Sequence, residues 1–322
     1  MSQESLPTTA KLEVPETGLS RVVFNHEVGP GWYLLRLEEP ALARSSRPGQ
    51  FVQIQCAEPG DLDPLLRRPF SVYDVDAAAG TYDILYIITG RGTRWMASLP
   101  VEGAPRSGGD TPRGTGLDVD VIGPFGNPFT SPRADDVVIL VGGGVGVAPL
   151  YFFARALCQR PSPAPQTTLL MGARSAPQLQ GIEDFRKLPI RSKVATNDGS
   201  EGFDGFVTGL LAELLDGELS GVPRERLRVY GCGPTGMNEA LRQLAVQRDL
   251  NCEICLESRM ACGFGICFAC VVPIRKDVDG PLYNRRICLE GCVFPADLLG
   301  EGLGDIPLEG THQGEPICPT AV

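Results

Sequence analysis

Four cysteines in the last quarter of the chain carry the spacing of a metal centre. Cys262, Cys267 and Cys270 read C-x4-C-x2-C, and Cys288 follows after an eighteen-residue step. That is the ligand spacing of a plant-type two-iron cluster. Three ligands crowded into nine residues need a loop whose N–H groups turn toward the sulfurs. Gly263 and Gly265 suit such a loop, because a residue without Cβ takes positive φ and lets the backbone approach an inorganic core. Phe264, Ile266 and Phe268 are placed to shield that core, and shielding together with N–H donors tunes a cluster's potential. The expected metal ligands of a [2Fe-2S] cluster are therefore Cys262, Cys267, Cys270 and Cys288.

Structural zinc is the alternative, since Cys252-x2-Cys255 and Cys267-x2-Cys270 form two CxxC pairs. Eleven residues separate the pairs, against about fifteen to twenty in four-cysteine zinc ribbons. Zinc there would also leave Cys262 and Cys288 without a role. Disulfides fit less well, because eleven cysteines is an odd number and nothing points to an oxidising compartment. With only His26 and His312 present, histidine metal sites and Ser/His or Cys/His catalysis lack raw material. The chemistry of this chain falls to cofactors.

At 322 residues, 43% of them hydrophobic, the chain allows two or three domains with a sizeable core. A formal net charge of -10 gives no electrostatic footprint for nucleic acid, and no lysine cluster suggests a membrane surface. The opening MSQESLPTTAKLEVPETG has no basic-then-apolar signal pattern. No stretch reaches the roughly eighteen apolar residues of a membrane span, so a cytoplasmic protein is expected.

The elements that must serve the cluster come earlier. From about Arg21 to Gly123 the runs RVVFNHEV, GWYLLRLE, GQFVQIQC, FSVYDVD, YDILYIIT and LDVDVIG alternate in polarity between turn residues, which predicts an antiparallel β-barrel. Within it, Arg68, Pro69, Phe70 and Ser71 place a guanidinium fork, a rigid turn and a hydroxyl at the start of a strand. The strand holding Leu85, Tyr86 and Ile87 leads to Gly90, Gly92 and Thr93, which open a short helix suited to phosphate. An arginine fork and a helix N-terminus in one barrel would clamp a dinucleotide pyrophosphate, and a flavin is the natural candidate. The Gly/Pro-rich stretch 103–116 is expected to be a mobile surface loop. GPFGNPFTSPRAD, Gly123 to Asp135, is expected to be a hinge without regular structure.

Beyond the hinge the period changes. Val137 to Val141 reads as a buried strand, Gly142, Gly143, Gly144 and Gly146 as a turn, and the residues around Pro149 as a helix. TTLLMGAR, VATNDG and RLRVYGCGP are further strands, with EDFRKL, GFVTGLLAELL and MNEALRQLAVQR as helices. This alternation predicts a parallel sheet that holds ligands beyond its C-terminal strand ends. The glycine turn would meet a pyrophosphate, and Cys232, Gly233 and Pro234 close a strand where a nicotinamide ring is expected.

These motifs resemble the ferredoxin reductase superfamily and, within it, the electron-transfer subunits of NAD-linked dihydroorotate dehydrogenases. RRPFS and GRGT look like flavin motifs of that family, GPFGNPF like its interdomain turn, and GGGVGVAPLY like its nicotinamide-domain opening. NDGSEGFDGFVT is similar to a stretch of these subunits, and ESRMACGFGICFACVV to their cluster loop. The resemblance covers roughly residues 20 to 297. It departs from the family at the 103–116 insertion, in the C-terminal tail and in the extra thiols Cys252, Cys255 and Cys292.

The resemblance implies a multidomain α/β plus β protein. Its expected parts are a polar tail over 1–19, an FAD-binding antiparallel β-barrel over 20–128, a parallel α/β NAD(P)-binding domain over 129–250, a small [2Fe-2S] domain over 251–300 and a tail over 301–322. It implies electron transfer between an FMN-containing dihydroorotate dehydrogenase catalytic subunit and NAD+, in a heterotetramer of two of each chain. Arg68 would bind the flavin pyrophosphate, Ser71 would act at the flavin's reactive edge, and Leu85, Tyr86 and Ile87 would pack along it. Gly92 and Thr93 would sit at its phosphates, and Cys232 at the nicotinamide. A nicotinamide exchanges two electrons at once and a two-iron cluster one, so a flavin must stand between them. A general NAD(P)H reductase for a ferredoxin or oxygenase, and a zinc-stabilised binding module, are the competing readings. The residue after the second strand is Arg174, which leaves NAD against NADP open.

Overall fold

The computed structural model describes residues 16–58, 60–99, 118–160 and 164–303. The 103–116 insertion, most of both tails and Cys318 lie outside the described residues.

Alternating polarity builds the first sheet from β1 (Glu16–Gly29), β2 (Trp32–Glu38), β3 (Phe51–Ile54), β4 (Arg68–Ser71), β5 (Asp74–Asp76), β6 (Thr81–Ile87) and β7 (Asp118–Phe125). On β7, Val119, Val121, Gly123 and Phe125 are buried while the residues alternating with them are less so, as a half-buried strand requires. The sheet is antiparallel throughout, in the order β4-β3-β7-β1-β2-β6-β5. Its two ends, β4 and β5, are consecutive in the chain. FSVYDVD is therefore two strands and not one: Val72 N–H donates to Gln50 O, whereas Tyr73 N–H donates to Asp83 O on β6. This change of partner draws the sheet's ends together into a barrel. Helices α1 (Pro40–Ser45) and α2 (Arg91–Ala97) lie between its strands in sequence.

The second sheet contains β8 (Val137–Gly143), β9 (Gln166–Ala173), β10 (Arg191–Thr196), β11 (Phe203–Asp204), β12 (Leu227–Cys232) and β13 (Asn251–Cys255). All of these pair in parallel. Strand β8 is buried along its whole length, which explains its unbroken apolar run. Helix α3 (Val147–Cys158) packs on β8 and β12; α4 (Ile182–Arg186) packs on α3 and β10; α5 (Val207–Asp216) and α6 (Thr235–Gln247) pack on each other and on the sheet.

After Cys255 the chain leaves this sheet on an excursion. It forms a hairpin of β14 (Val271–Arg275) and β15 (Leu282–Arg286), then α7 (Ile287–Glu290), and returns as β16 (Val293–Pro295), antiparallel to β13. Cys270, Cys288, Ile274 and Leu299 of this region share one hydrophobic core with the α/β sheet. The sheet thus extends into the stretch expected to carry the cluster. The expected hinge is also shorter than its composition suggests, because β7 runs on through Phe125 by pairing it with Phe51.

Candidate functional site

A cavity of about 280 Å³ opens where the three parts meet. It is lined from the barrel by Phe51, Pro69, Phe70, Ser71, Leu85, Tyr86, Ile87, Thr89 and Thr93, from the turn into α3 by Val145 and Ala148, and from the two ends of the excursion by Cys255 to Ser258, Met260 and Cys292. A larger cavity of about 440 Å³ lies at the other end of the sheet, against Thr130, Asp136, Arg228 and Cys252. It holds none of the residues expected to bind the flavin, the nicotinamide or the [2Fe-2S] cluster, so the smaller cavity is the candidate site.

Most of the expected flavin motif converges there. Tyr86 is held by a hydrogen bond donated to Asn25 Oδ1 at 3.0 Å and meets the Phe70 ring edge-on at 6.1 Å between centroids. Ser71 pairs with Phe51 across β3 and β4. Arg68 and Gly92 stand just outside the cavity wall: Arg68 Nη1 donates to Leu66 O at 2.7 Å, and a Cβ on Gly92 would lie 3.6 Å from Arg68 Cγ. The Thr93 hydroxyl accepts from the N–H groups of Thr89 and Gly90 at 2.9 and 3.1 Å. Its first task is therefore to cap its own helix.

The two expected nicotinamide turns touch each other. Gly142 and Cys232 are register partners at the C-terminal ends of β8 and β12. A Cβ on Gly146 would stand 2.5 Å from the carbonyl carbon of Cys232 and 2.6 Å from Gly233 Cα, and one on Gly143 would meet Met237 Sδ at 2.9 Å. Glycine at these positions lets one turn nest against the other. Gly144 takes φ +55, with Pro234 alongside. Cys232 is buried and side by side with Cys255 in adjacent strands.

The four thiols of the excursion gather as two pairs. Cys267 N–H donates to Cys262 Sγ at 3.4 Å, and the Cys270 and Cys288 thiols are hydrogen-bonded to each other. Burial pushes the Cys262 thiol up, but the N–H groups of Cys267, Phe264 and Ile266 and the Cys267 thiol outweigh it and bring it down to about 7. Hydrogen bonding to Cys288 and to backbone N–H groups, against burial, lowers Cys270 to about 6. The backbone nest rests on positive φ at Gly263 (79), Gly265 (89) and Phe268 (58), and oriented N–H groups of this kind favour anionic sulfur. Among the described residues no three His, Cys, Asp or Glu side chains converge as one metal ion would need. Two pairs of thiols fit two irons, each taking two protein ligands.

The zinc pairing does not assemble. Cys252 faces the larger cavity, while Cys255 lies against Cys232 and Cys292, so the two CxxC pairs do not share a centre. The expected shield is also turned outward: Phe264, Ile266 and Phe268 are 46%, 72% and 59% exposed, because the loop stands at the surface with its backbone facing the thiols.

Several residues of the site escaped the motifs. Asn127 Oδ1 accepts from the N–H groups of Cys292 and Val293 at 2.9 and 3.0 Å, and its amide donates to Val293 O. It pins the return of the excursion to the hinge. Arg286 Nη1 donates to Gly265 O at 2.9 Å while its guanidinium lies 4.8 Å from the Phe268 ring centroid, bracing the cluster loop from β15. Gln53 Nε2 reaches Met260 Sδ at 3.4 Å. Glu257 is open to the cleft but crowded by protein on its other sides, and burial, with Cys255 nearby, pushes its carboxyl up to about 7. The nearest visible signal was the Asn inside GPFGNPF.

Comparison with known proteins agrees with this layout. Residues 257–300 match the family described as the iron-sulfur cluster binding domain of dihydroorotate dehydrogenase B, and residues 140–243 the oxidoreductase NAD-binding domain. The chain is 33% identical over 277 residues to the dihydroorotate dehydrogenase B (NAD(+)) electron transfer subunit of Desulforamulus reducens, covering 86% of this chain and 95% of that one. It is 35% identical to the same subunit of Shouchella clausii, covering 86% and 96%. Among solved structures, the NADH-dependent reduced ferredoxin-NADP oxidoreductase superposes with TM-score 0.68 at 28% identity, covering 88% of this chain and 91% of that one. A ferredoxin NADP+ reductase from Neisseria gonorrhoeae with bound FAD and NADP shares the fold at TM-score 0.55 and 15% identity, covering 72% of this chain and 91% of that one.

Proposed function

The chain belongs to the family of dihydroorotate dehydrogenase B (NAD(+)) electron transfer subunits, and from that premise we propose that it passes electrons between an FMN-containing catalytic subunit and NAD+ in pyrimidine (UMP) biosynthesis. It is an NAD-linked oxidoreductase subunit with FAD and a [2Fe-2S] cluster as its cofactors. The observation that carries this reading is the cavity of about 280 Å³, walled at once by the barrel, the glycine turn of the α/β sheet and the base of the excursion. A flavin bound there exchanges two electrons with a nicotinamide and single electrons with an iron-sulfur cluster.

The residues divide the work. Arg68 holds the flavin pyrophosphate, while Pro69, Phe70, Leu85, Tyr86 and Ile87 give the ring system an apolar bed. Gly92 and Thr93 keep the backbone close to the phosphates, and Ser71 offers a hydroxyl to the ring's reactive edge. The turns at Gly142 to Gly146 and Cys232 to Pro234 would admit the nicotinamide. Cys262 with Cys267, and Cys270 with Cys288, ligate the two irons. The exposed apolar face of Phe264, Ile266 and Phe268 beside the exposed Cys267 is the docking surface for the catalytic subunit, in a heterotetramer of two of each chain. No helix among the described residues is long and apolar enough to cross a membrane, and the cytoplasm is the proposed compartment.

The test is anaerobic co-purification with the catalytic subunit, followed by flavin identification, iron counting and addition of dihydroorotate. NADH should form from NAD+ only when both chains are present, with FAD on this one. Rapid reduction of loose one-electron carriers by NADH, with no FMN-containing partner retained, would instead establish the general reductase.

A further inference from the structure

Three buried thiols gather beside the cavity and are left unused as a group by the electron path: Cys255 and Cys292 line it, and Cys232 lies against Cys255. Cys232 ends β12, Cys255 ends β13 beside it, and Cys292 immediately precedes β16. All three are free. The Cys255 and Cys292 sulfurs reach the same carbonyl oxygen, that of Gly49, at 3.9 and 2.9 Å. At the same neck, Leu256 N–H donates to Cys292 O at 2.7 Å and Cys255 pairs with Val293, so Cys255 and Cys292 are diagonal neighbours on strands one spacing apart, a separation a disulfide can span. Both residues border the cavity proposed for the flavin.

Their position in the chain gives the pair its meaning. Cys255 is the last residue before the excursion and Cys292 the last before the chain rejoins the sheet, so all four expected cluster ligands lie between them. We propose that Cys255 and Cys292 form an oxidisable dithiol, a modification site for peroxide-class oxidants whose disulfide closes the neck of the cluster-bearing excursion.

The reaction balances with one peroxide. Cys255 Sγ, as thiolate, attacks a peroxide oxygen: an S–O bond forms, the O–O bond breaks, and hydroxide leaves to take up a proton. Cys292 Sγ then attacks Cys255 Sγ. The S–S bond forms, the S–O bond breaks, and water leaves with the proton of Cys292. Two thiols are oxidised by two electrons and the peroxide is reduced to two waters. Cys255 is the attacking sulfur because hydrogen bonds from the Cys232 and Cys292 thiols hold it well below the usual thiol range, against burial.

The inference is tested on the purified chain with its cofactors, exposed stepwise to hydrogen peroxide, quenched in acid, alkylated and mapped after trypsin. The expected product joins peptide 249–259 to the peptide starting at Ile287, lighter by two hydrogens. Fragment ions should place the bond at Cys255 and Cys292, dithiothreitol should reverse it, and it should form before Cys252 on the same strand reacts. In Cys292→Ala the cross-link disappears and dimedone traps Cys255 as its sulfenic acid. A bond from Cys255 to Cys232, oxidation of Cys255 without any bond, or a bond that forms only in denaturant would each overturn the assignment.

Discussion

The thiols of the excursion and the thiols at its neck are gathered by different means. Cys262, Cys267 and Cys270 meet because they are neighbours in a loop bent by positive φ at Gly263, Gly265 and Phe268, and only Cys288 comes from further along. Cys232, Cys255 and Cys292 meet because sheet register sets the ends of β12 and β13 and the start of β16 side by side. In the first group Cys262 and Cys270 are met by N–H donors that favour thiolate, and Cys267 reaches the surface. The second is buried in apolar surroundings, where burial pushes thiols up, and Cys232 and Cys292 are raised by hydrogen bonding to Cys255 and by that burial. A loop builds a ligand set that can be recognised locally, whereas a sheet builds a thiol cluster visible only once the strands are paired.

The largest effect that could break this comparison is on iron. Cys270→Ser removes one member of a buried ligand pair and should yield protein with almost no iron and no visible cluster absorption. Its electron delivery to the partner should fall by more than the roughly 10–100-fold that loss of a second-shell partner costs. Cys255→Ser, seven residues before Cys262, should keep its iron. Parallel iron assays and visible spectra decide the matter, and equal iron loss in both variants would mean that the wall belongs to the ligand set.

The same contrast explains what could be read in advance. Barrel strands and buried α/β strands announce themselves by period, and the cluster loop by spacing, because each is a property of neighbouring residues. FSVYDVD read as one strand because nothing local marks the change of partner from Gln50 to Asp83. Cys252 and Cys255 read as a CxxC pair because local spacing cannot show that β13 points them to different cavities. Arg286, which braces Gly265 from 21 residues away, and Asn127, which pins Cys292 from 165 away, are positioned by long-range pairing. No periodicity carries that information.

A smaller effect separates the glycines of the two regions. In Gly146→Ala the new Cβ meets only backbone, 2.5 Å from Cys232 C and O. The two turns must part, at about 1–3 kcal/mol as for other overpacked sites, and the KM for the nicotinamide should rise. In Gly265→Ala the nearest atom is Leu289 Cδ2 at 2.8 Å, the end of a flexible side chain, and the cost lies in φ +89. Strain there is about 1–2 kcal/mol, and it should appear as a shifted cluster spectrum with the nicotinamide KM unchanged. Denaturant unfolding beside NADH titration tests both halves, and a changed KM in Gly265→Ala would mean the two sites are not independent.

The smallest effect concerns Glu257, which joins the wall to the excursion. Burial and the neighbouring Cys255 raise its carboxyl from the usual 4.5 to about 7, so the fold favours the protonated form. The resulting contribution to stability is fully present below about 4.5 and is lost as pH rises through about 7. Water in the open cleft screens the charge, which keeps the effect small and makes it larger once a ligand fills the cleft. Glu257→Gln cannot ionise and should lack this dependence. Between pH 4.5 and 7 the wild-type chain should lose stability relative to the variant, and the gap should widen when flavin is bound. Parallel unfolding curves of the two proteins across that window measure it. A gap that narrows with rising pH would place the Glu257 carboxylate among favourable partners, and the wall would then resemble the thiolate-stabilising loop it has been set against.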